Sequence, residues 1–518
     1  MCGGQDLNLR THYQNITNIL KHILIDSMSI FDSIRFIKDN KTVYKILING
    51  QWSESSNGSL FEVKNPADGS LVAEVQKATK EDAERAVQAA FDSKLKIANM
   101  DASERGKLLD KMGDLLEQNK NEFIDIIMKE SGKTFKLAEG EVNASITRLH
   151  YAADEAKEIR GEIIRGDVAS DKKSTGMIIR QPIGVLLAIS PFNYPLFTGI
   201  AKIAPGIAAG NSIIVKPASD DPICLIMFGK IMQEAELPDG IVNIITGSSS
   251  EIGDYLCSHP KVDMISFTGS SAVGKHIAST AGMKKLHMEL GGKAPAIVLE
   301  DCDLNLAVKE SVTGSLKYSG QRCDAISRIL VLESIADRFV SGVLEEVKNW
   351  KFGDPKNPDT IIGPLINEWA AKKVEELVND AVNKGAKLLY GGKKHDLGYY
   401  EPTVLDFVNR NMRIAWEETF GPVVTIIRVK DYEEAIRLAN ESEYGLDACI
   451  FTRDIDKAFD AAQRIEAGSV HINAHPTHGL GIFPFGGDES SGMGREGIKY
   501  SIEDMSKVHA MVLHSHKK

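Results

Sequence analysis

The chain has 518 residues, too many for a single hydrophobic core, so two or more domains are expected. Its 61 Lys and Arg residues stand against 72 Asp and Glu residues, and this net charge of −11, without clustered basic residues, argues against nucleic-acid binding. The six cysteines form neither a CxxC pair nor a Cys/His cluster with zinc spacing, so we expect no metal and a reducing, cytoplasmic location. No apolar run reaches the ~20 residues of a membrane-spanning helix, and the N-terminus lacks a clean secretory signal.

Residues 1–45 are polar and of mixed pattern, so we interpret them as an N-terminal extension. A short helix packed on the first domain is the alternative. The first domain itself starts near Tyr44–Trp52. The spacing of apolar residues then predicts a helix over Lys80–Ala98, one or two helices over Ser103–Ser131, and another over Glu141–Ile159.

Four short, almost continuous apolar runs come next, and each is followed by a helical pattern. Strands without alternation that are separated by helices indicate a parallel sheet buried on both faces. The runs therefore predict a doubly wound α/β domain. They cover Gly184–Ser190, Ser212–Pro217, Val242–Gly247 and Met264–Ser270.

A second α/β series is predicted from the strand-like runs Ala294–Glu300, Arg328–Ser334 and Gly421–Val429. The segment Ser506–Ser515 alternates like a half-exposed strand. Because it follows the completed second domain, we expect it to find its pairing partner elsewhere.

Three residues are candidates for catalysis. Cys323, in "YSGQRCDA", could supply a thiolate nucleophile toward a carbonyl carbon, although a lone Cys is more often a buried small hydrophobe. Glu289 ends a strand-like segment and precedes a Gly pair in "MELGGKAPAIV", where a surface Glu is the simpler interpretation. Asn193, in "ISPFNYP", follows a parallel strand and could donate to an oxyanion, although Asn is common in turns.

Two further segments lie where a doubly wound sheet binds its ligands, at the carboxyl ends of strands. Lys216 begins "KPAS" at the end of one strand. The segment Phe267–Gly274 runs from a strand into a helix start, whose free N–H groups suit a pyrophosphate. The GxGxxG pattern of ordinary dinucleotide-binding domains is missing.

Together these five motifs resemble the aldehyde dehydrogenase superfamily, in the family's order, from about Leu47 to the C-terminus. "WEETFGPV" (Trp416–Val423), "FPFGG" (Phe483–Gly487) and "SGMGREG" (Ser491–Gly497) agree as well. One departure is Glu489, which stands where the family usually has a Lys shortly after the Gly pair.

The resemblance implies three structural parts. These are a doubly wound dinucleotide-binding domain over 46–160 and 182–290, an α/β catalytic domain over 291–488, and a small β bridging element over 161–181 and 503–518. The terminal strand would complete a neighbouring subunit's sheet, so a homodimer or homotetramer is expected.

The resemblance also implies residue roles. Cys323 would attack the aldehyde and form a thioester, while the Asn193 side chain and the Cys323 backbone N–H hold the oxyanion. Glu289 would act as general base on the hydrolytic water, which argues against the branch of the superfamily that transfers its acyl group to coenzyme A. A non-catalytic member of the family is the alternative from another class; it would be expected to lack one of these three residues.

For the cofactor, Ser219 stands where relatives that use NAD often carry a Glu that binds the adenine ribose hydroxyls. A hydroxyl can donate to a 2′-phosphate, so NADP is the predicted cofactor, with NAD possible. Asp220 and Asp221 could oppose that phosphate. The implied cofactor-binding residues are Pro191, Phe192, Lys216, Ser219, Gly247, Phe267, Gly269, Ser270, Gly274, Leu290, Glu418 and Phe420.

Within the superfamily, "SGQRCDAISRILV", "SPFNYP", "SEYGLDACIFT" and "GIKYSIEDM" look most like non-phosphorylating glyceraldehyde-3-phosphate dehydrogenases of glycolysis. Oxidation of glyceraldehyde 3-phosphate to 3-phosphoglycerate is therefore predicted. Ala201 replaces an Arg common in succinate-semialdehyde members. His478 stands where the compared relatives often have an Arg, so unphosphorylated glyceraldehyde or lactaldehyde is the runner-up. Candidate substrate residues are Arg148, Arg322, His478 and Phe485.

Overall fold

The computed structural model describes residues 29–169, 171 and 173–515. Its largest sheet has eight strands within this range, and its five central strands are parallel and buried. The predicted doubly wound α/β domain is thereby confirmed. In spatial order the strands are Gly492–Met493, Lys285–Glu289, Met264–Thr268, Val185–Ile189, Ser212–Lys216, Val242–Ile244, Ile46–Ile48 and Gln51–Ser53.

A second sheet contains seven strands in the described chain, and all of them fall between residues 291 and 488. Three of its inner strands, Ala294–Val298, Ile326–Leu332 and Asp447–Phe451, are buried along their whole length, as expected of parallel strands covered on both faces. In spatial order the strands are Lys387–Tyr390, Thr403–Asp406, Val423–Val429, Ile326–Leu332, Ala294–Val298, Asp447–Phe451 and Ser469–Ile472.

The predicted helices are present, although the one predicted over Glu141–Ile159 spans Phe135–Glu155 and is followed by a short 3₁₀-helix at Ala156–Glu158. Lys80–Ala98 is one helix with a capping box at Thr79, and the segment predicted as one or two helices divides at Asn119. None of the described helices combines the length and the apolarity that crossing a bilayer requires. The α-helices of the described chain are Lys80–Ala98, Ala102–Gln118, Lys120–Ser131, Phe135–Glu155, Pro195–Ala208, Ile223–Glu234, Asp254–Ser258, Ser271–Thr280, Leu304–Leu316, Glu333–Val347, Glu368–Asn383, Tyr432–Asn440, Ile455–Arg464 and Ile498–Asp504.

The fold begins before the boundary that we expected at residue 45. A 3₁₀-helix at Ile30–Ile34 buries Phe31 and Ile34 completely, and the Phe31 ring meets that of Phe123 edge to face at 5.7 Å. This anchor explains why residues 30–44 are ordered parts of the domain. Two short strands follow and belong to a four-stranded sheet in the order Arg35–Lys38, Lys41–Tyr44, Leu71–Gln76 and Leu60–Lys64. Residues 1–28 of the expected extension lie outside the described residues.

A three-stranded sheet holds the C-terminal strand. Ser506–His514 pairs antiparallel with Ser174–Pro182, which also pairs with Glu162–Arg165. The terminal strand therefore finds a partner outside the second α/β series, in a segment of its own chain that overlaps the bridging element expected at 161–181. That it completes a neighbouring subunit's sheet stays a prediction. Its other edge has no partner strand in the described part of the chain. A further pair of two-residue strands joins Tyr444–Gly445 to Asp488–Glu489.

Candidate active site

The loop that carries Cys323 is held in an unusual backbone conformation. Helix Leu304–Leu316 ends in a turn in which Tyr318 and Ser319 both have positive φ, at 53° and 54°. Non-glycine residues adopt this region only when their surroundings impose it. The buried Ser319 hydroxyl donates to the carbonyl of Gly363 at 2.9 Å, which fixes the turn. The chain then reaches Cys323 with its thiol at the wall of a cavity.

Asn193 lies beside this loop. It is 7% exposed, and its Nδ2 donates to the backbone carbonyl of Gln321 at 3.0 Å. The amide nitrogen carries two hydrogens, so this bond orients the group and leaves one hydrogen for another acceptor. The expected oxyanion donor is thus placed two residues from the nucleophile by the Gln321 carbonyl.

Glu289 is the last residue of the strand Lys285–Glu289 and is only 3% exposed. Neither of its carboxylate oxygens has a hydrogen-bond partner among the described residues. His287 Nε2 lies 3.4 Å from Oε1, and His287 Nδ1 lies 2.6 Å from Asp504 Oδ2. Burial raises the pKa of Glu289, while the nearby His287 opposes that rise. A buried, uncommitted carboxylate with a raised pKa has the properties of a general base.

The surroundings of Cys323 favour the protonated thiol. Although the residue is partly exposed to the cavity, the protein atoms around its sulfur and the carboxylates of Asp324, Asp447 and Glu289 raise the pKa of the thiol. Stabilisation of a thiolate, which we expected of a nucleophile here, is not provided by these side chains. A thiol in these surroundings could act as a nucleophile only if another group took its proton.

The Gly291–Gly292 pair connects the two large sheets and passes between two site residues. The Gly292 N–H donates to Glu418 Oε1 at 3.1 Å. A Cβ at Gly291 would lie 3.0 Å from both Glu418 oxygens, and a Cβ at Gly292 would collide with the carbonyl oxygen of Cys323. Both linker positions therefore require glycine, because the Glu418 carboxylate lies close to Gly291 and the Cys323 carbonyl lies close to Gly292.

The cavity at Cys323 has a volume of about 400 Å³, and we call it the Cys323 cavity. Arg322 and His478, two of the predicted substrate residues, line it. Arg322 Nε donates to Asp324 Oδ1 at 2.9 Å, and the His478 ring lies 4.0 Å from that of Phe485. Phe485 thus supports the wall from behind His478.

Arg148, the remaining substrate candidate, is not among the residues that line the Cys323 cavity. Its side chain is fully buried, with the guanidinium 4.7 Å from the ring centre of Phe197 and 4.0 Å from Glu496 Oε2. No described residue accepts a hydrogen bond from it. The reason is that Arg148 projects from the inner face of helix Phe135–Glu155, behind Phe197, which itself lines the cavity.

A second cavity of about 400 Å³ lies at the carboxyl ends of the parallel strands, and we call it the Lys216 cavity. Ile189 and Phe267 give it apolar walls, and Ser249 adds a hydroxyl. Lys216 is buried without a hydrogen-bond or ion-pair partner among the described residues, and burial lowers its pKa to about 8. The helix Ser271–Thr280 begins at the wall with free N–H groups. This donor set fits the phosphates and adenine of a dinucleotide.

The contacts of Ser219 and its neighbours indicate whether the 2′-phosphate of a cofactor could bind there. Its hydroxyl donates to the carbonyl of Gly247 at 3.4 Å, next to the Lys216 cavity. Asp220 accepts from Asn367 at 3.3 Å, and Asp221 is completely buried, where Glu130 is among the charges that raise its pKa after burial itself. Both carboxylates that could oppose a 2′-phosphate are therefore engaged or buried elsewhere.

The other predicted cofactor residues lie between the two cavities or along the Lys216 side. The rings of Phe192 and Phe420 meet edge to face at 5.7 Å. The Gly269 N–H donates to the carbonyl of Glu289 at 3.0 Å. A Cβ at Gly274 would collide with the side chain of Leu290, so this glycine permits the helix to approach the strand end. Pro191 is half-buried beside Phe192, and Ser270 accepts from the Val273 N–H as the helix cap.

Sequence reasoning missed several residues of the two cavities. Asp324 lies inside the quoted cysteine motif and Lys317 directly precedes it, and their place on the cavity wall beside Arg322 is visible only when the loop is folded. Ser249 and Ser250 follow a predicted strand end, where a run of hydroxyls could have indicated a phosphate contact. Among the described residues, no group of three or more His, Cys, Asp or Glu side chains is arranged to hold a metal ion.

Comparison with known proteins gives a consistent result. The family model described as "Aldehyde dehydrogenase family" matches residues 52–511. The chain is 41% identical over 472 residues to the NADP-dependent glyceraldehyde-3-phosphate dehydrogenase of Streptococcus equinus, covering 90% of this chain and 98% of that protein. It is 37% identical over 500 residues to the mitochondrial succinate-semialdehyde dehydrogenase of Arabidopsis thaliana, covering 95% of this chain and 93% of that protein.

Among solved structures, the chain is similar to the NADP-dependent glyceraldehyde-3-phosphate dehydrogenase of Bacillus halodurans C-125 complexed with NADP. The TM-score is 0.89 and the identity 42%, and the match covers 91% of this chain and 99% of the other. Similarity of this extent includes both large sheets and the three-stranded sheet.

Proposed function

The chain belongs to the aldehyde dehydrogenase family, and from this premise we infer that it oxidises an aldehyde to a carboxylic acid with a nicotinamide dinucleotide. Three observations carry the inference. Cys323 lines the cavity, the Asn193 amide donates to the Gln321 carbonyl two residues before it, and the buried Glu289 carboxylate is close enough to raise the pKa of the Cys323 thiol. A nucleophile, an oxyanion donor and a base are the three groups that thioester chemistry on a carbonyl requires.

Cys323 Sγ would attack the aldehyde carbon and form a thiohemiacetal oxyanion, while its thiol proton passes to water in the cavity. The Asn193 amide, already oriented by the Gln321 carbonyl, and the Cys323 backbone N–H would donate to the oxyanion. Lys216 and the start of helix Ser271–Thr280 would hold a nicotinamide dinucleotide, which would supply a hydride acceptor for this oxidation. Loss of hydride from the carbon bonded to Cys323 would leave a thioester.

Glu289 would then remove a proton from a water molecule as that water attacks the thioester. Its carboxylate has no hydrogen-bond partner among the described residues, so an ionised Glu289 is available to accept a proton. The acid leaves, and the Cys323 thiol is regenerated. Because this step follows oxidation, loss of the base should slow steady turnover more than it slows thioester formation.

For the cofactor we propose NADP as the preferred dinucleotide, with NAD also accepted. Lys216 supplies an unpaired cation and Ser219 a hydroxyl, while Asp220 and Asp221 are engaged or buried elsewhere. The solved relative from Bacillus halodurans is described as NADP-dependent and complexed with NADP, which supports the same choice.

The five described cysteines are free, in keeping with a cytoplasmic location.

For the substrate we propose glyceraldehyde 3-phosphate, oxidised to 3-phosphoglycerate. The similarity to a glyceraldehyde-3-phosphate dehydrogenase and the presence of Arg322 in the cavity wall support this choice. One observation favours a second candidate, unphosphorylated glyceraldehyde or lactaldehyde. His478 occupies the position where an Arg was expected, and its Nε2 is bonded to Glu496 at 3.0 Å. Succinate semialdehyde is a further alternative, given the similarity to the plant enzyme.

Two measurements test the proposal. The wild type should release reduced cofactor when it is mixed with an aldehyde, and Cys323→Ala should lose this activity while still binding the dinucleotide. Substantial turnover by Cys323→Ala would remove the thiol from the mechanism. The values of kcat/KM for glyceraldehyde 3-phosphate, glyceraldehyde, lactaldehyde and succinate semialdehyde would then rank the substrates. A clear lead for succinate semialdehyde would contradict the proposed substrate.

A further inference from the structure

The Glu289 carboxylate is enclosed by protein. Both of its oxygens are buried, and among the described residues it is not one of those that line the Cys323 cavity or the Lys216 cavity. Within the described chain its one ion-pair contact joins Oε1 to His287 Nε2 at 3.4 Å. A proton that Glu289 takes from water therefore depends on polar groups of the protein to balance its charge against solvent.

A row of polar side chains leads from Glu289 to the protein surface. His287 is completely buried, and its Nδ1 lies 2.6 Å from Asp504 Oδ2. Asp504 is the last residue of helix Ile498–Asp504, and its side chain is 23% exposed. Lys285 Nζ lies 2.8 Å from the other oxygen of Asp504. The two ring nitrogens of His287 thus face one buried and one solvent-accessible carboxylate.

The neighbouring backbone packs closely against this pair of side chains. A Cβ at Gly494 would lie 2.9 Å from His287 Nδ1 and 3.2 Å from Asp504 Oδ2. Gly494 also has a positive φ of 90°, which residues with side chains rarely adopt. The glycine therefore lets the chain after the strand Gly492–Met493 pass beside His287 and Asp504 while they stay in contact.

Two carboxylates around one imidazole favour its protonated form. Burial would lower the pKa of His287, but the hydrogen bond with Asp504 and the charge of Glu289 raise it to about 9. Glu496, whose charge also acts on His287, is itself bonded to Lys202 at 3.0 Å. When Glu289 takes up a proton, its negative charge disappears, and His287 loses one of the causes that hold its own proton.

We propose that His287 and Asp504 exchange protons between the Glu289 site and solvent, so that one proton leaves His287 as another enters Glu289. The proposal rests on the proposed aldehyde oxidation, in which Glu289 is the base. His287 and Asp504 are positioning residues in this scheme, because they act through Glu289 and touch no reacting atom.

The steps balance as follows from the chemistry of thioester hydrolysis. A water O–H bond breaks, its oxygen bonds to the thioester carbon, and its proton goes to Glu289. The Nδ1–H bond of His287 breaks, and that proton passes to Asp504 and on to solvent. As the carbon–sulfur bond breaks, its electron pair goes to sulfur, which takes the proton from Glu289. His287 then regains a proton from solvent through Asp504, and the acid product releases its own proton to solvent.

The exchange keeps the buried pair of Glu289 and His287 free of net charge at each stage. Without it, a protonated Glu289 would leave the His287 cation in the protein interior without the charge that balances it, and an unbalanced buried charge is costly. Loss of the exchange should therefore slow hydrolysis of the thioester and spare its formation.

The test uses variants of Asp504, the solvent-accessible end of the path. Asp504→Asn keeps the shape of the side chain but does not take up a proton, and Asp504→Ser opens space for a small carboxylate. Asp504→Glu restores an acceptor. Asp110→Asn is the matched control, because Asp110 also contacts a histidine, His150 at 3.1 Å, and lines neither cavity.

Each protein is mixed rapidly with NADP and either glyceraldehyde 3-phosphate or glyceraldehyde, with and without formate. Absorbance records the burst of reduced cofactor, and the mass of the quenched protein records the acyl-enzyme and its hydrolysis. Thermal unfolding is measured for every variant.

In Asp504→Asn and Asp504→Ser, the burst should remain close to that of the wild type, while hydrolysis of the acyl-enzyme should slow about tenfold or more. Formate should restore part of the rate in both variants as its concentration rises, because a small carboxylate can replace the missing acceptor. Asp504→Glu should hydrolyse the acyl-enzyme at close to the wild-type rate without formate, and Asp110→Asn should behave like the wild type.

Hydrolysis at the wild-type rate in Asp504→Asn or Asp504→Ser, slow hydrolysis that formate does not change, or equal slowing of the burst and of hydrolysis would each overturn the path. Failure of the proposed function is a different result, in which the wild type would oxidise neither aldehyde.

Discussion

The Glu289 carboxylate is buried and has no hydrogen-bond partner among the described residues. A substitution at Glu289 should therefore impair the hydrolysis step, in which the carboxylate accepts a proton. Glu289→Gln keeps the shape of the side chain but cannot accept a proton from water. We expect a pre-steady-state burst of reduced cofactor close to one per active site, followed by turnover reduced at least about a hundredfold. Rapid mixing with absorbance detection measures both phases. Loss of the burst would instead assign Glu289 to deprotonation of Cys323, whose raised pKa requires some base.

The same carboxylate should set the acidic side of the pH profile. Burial raises the pKa of Glu289, so its ionised form, and with it turnover, is lost as the pH falls through that raised value. His287 faces it from the same strand. Although burial alone would lower it, the hydrogen bond with Asp504 and the negative charge of Glu289, 3.4 Å away, raise the pKa of His287 to about 9. Glu496 and Lys202 are the other charges that act on Glu289, one raising and one lowering its pKa.

Removing the His287 cation should therefore raise the pKa of Glu289 further. We expect His287→Gln to shift the acidic limb of the kcat profile to higher pH by about one unit. His150→Gln, a change at a half-exposed histidine paired with Asp110, should leave the limb in place. A shift toward lower pH, or none, would show that His287 is neutral when the enzyme turns over.

Ser219 provides a direct test of the cofactor preference. Ser219→Glu places a carboxylate where the hydroxyl now donates to Gly247, and like charges should repel the 2′-phosphate of NADP. The expected result is a loss of about tenfold or more in kcat/KM for NADP and a smaller effect on NAD. Ser219→Ala, which removes the hydroxyl without adding charge, is the control. Unchanged use of NADP by Ser219→Glu would mean that this position does not contact the ribose.

The sequence predicted the structural position of some site residues better than that of others. Cys323, Glu289 and Asn193 each follow or end an element, and short motifs of this kind locate a side chain well; their roles stay predictions. Arg148 was chosen for its charge alone, and the sequence does not tell which face of helix Phe135–Glu155 it occupies relative to Phe197.

At the scale of elements, buried parallel strands were predictable because their apolar runs lack alternation and are separated by helices. The N-terminal strands Arg35–Lys38 and Lys41–Tyr44 were not. They are four residues long and only partly buried, and their stability depends on distant strands such as Leu71–Gln76. Short strands of this kind are defined by tertiary pairing rather than by a local pattern.

The terminal strand gives a prediction at this scale. Its nine residues pair with Ser174–Pro182, and Val508, Val512 and Leu513 are exposed along it. A chain that stops after Met505 should unfold at a lower temperature and have a lower molar mass in light scattering, because both the pairing and the free edge are lost. A chain that stops after Ser515 is the control. Equal masses for the two truncated chains would exclude this strand from subunit contacts.

For the whole molecule, the family inferred from the ordered motifs is confirmed, and the similarity covers both large sheets. The sequence did not predict how the two large sheets are placed against each other. Glu289, the proposed base, ends a strand of the eight-stranded sheet, and Cys323, the proposed nucleophile, precedes a strand of the seven-stranded sheet. The Gly291–Gly292 linker lies between these two strands in the chain.

A methyl group in that linker should therefore disturb chemistry more than folding. Gly292→Ala would force the Cys323 carbonyl to move, and displacements near 1 Å at reacting groups reduce rates by about a hundredfold. Gly176→Ala, whose Cβ would lie 3.8 Å from the nearest atom, is the control. We expect a large loss of kcat in the first variant and none in the second, with thermal unfolding recorded for both. Full activity of Gly292→Ala would contradict the tight contact at this linker.

The short strand Gly492–Met493 pairs with the strand that ends in Glu289. The surroundings of Glu289 are therefore completed late in the synthesis of the chain. Leu290 donates its N–H to the carbonyl of Ser491, and the Ser491 hydroxyl donates to the carbonyl of Gly291, so residues near the C-terminus enclose the base. During translation the nucleophile is synthesised long before this enclosure. A nascent chain thus carries Cys323 without a fully enclosed base until the segment around Ser491 has also been synthesised.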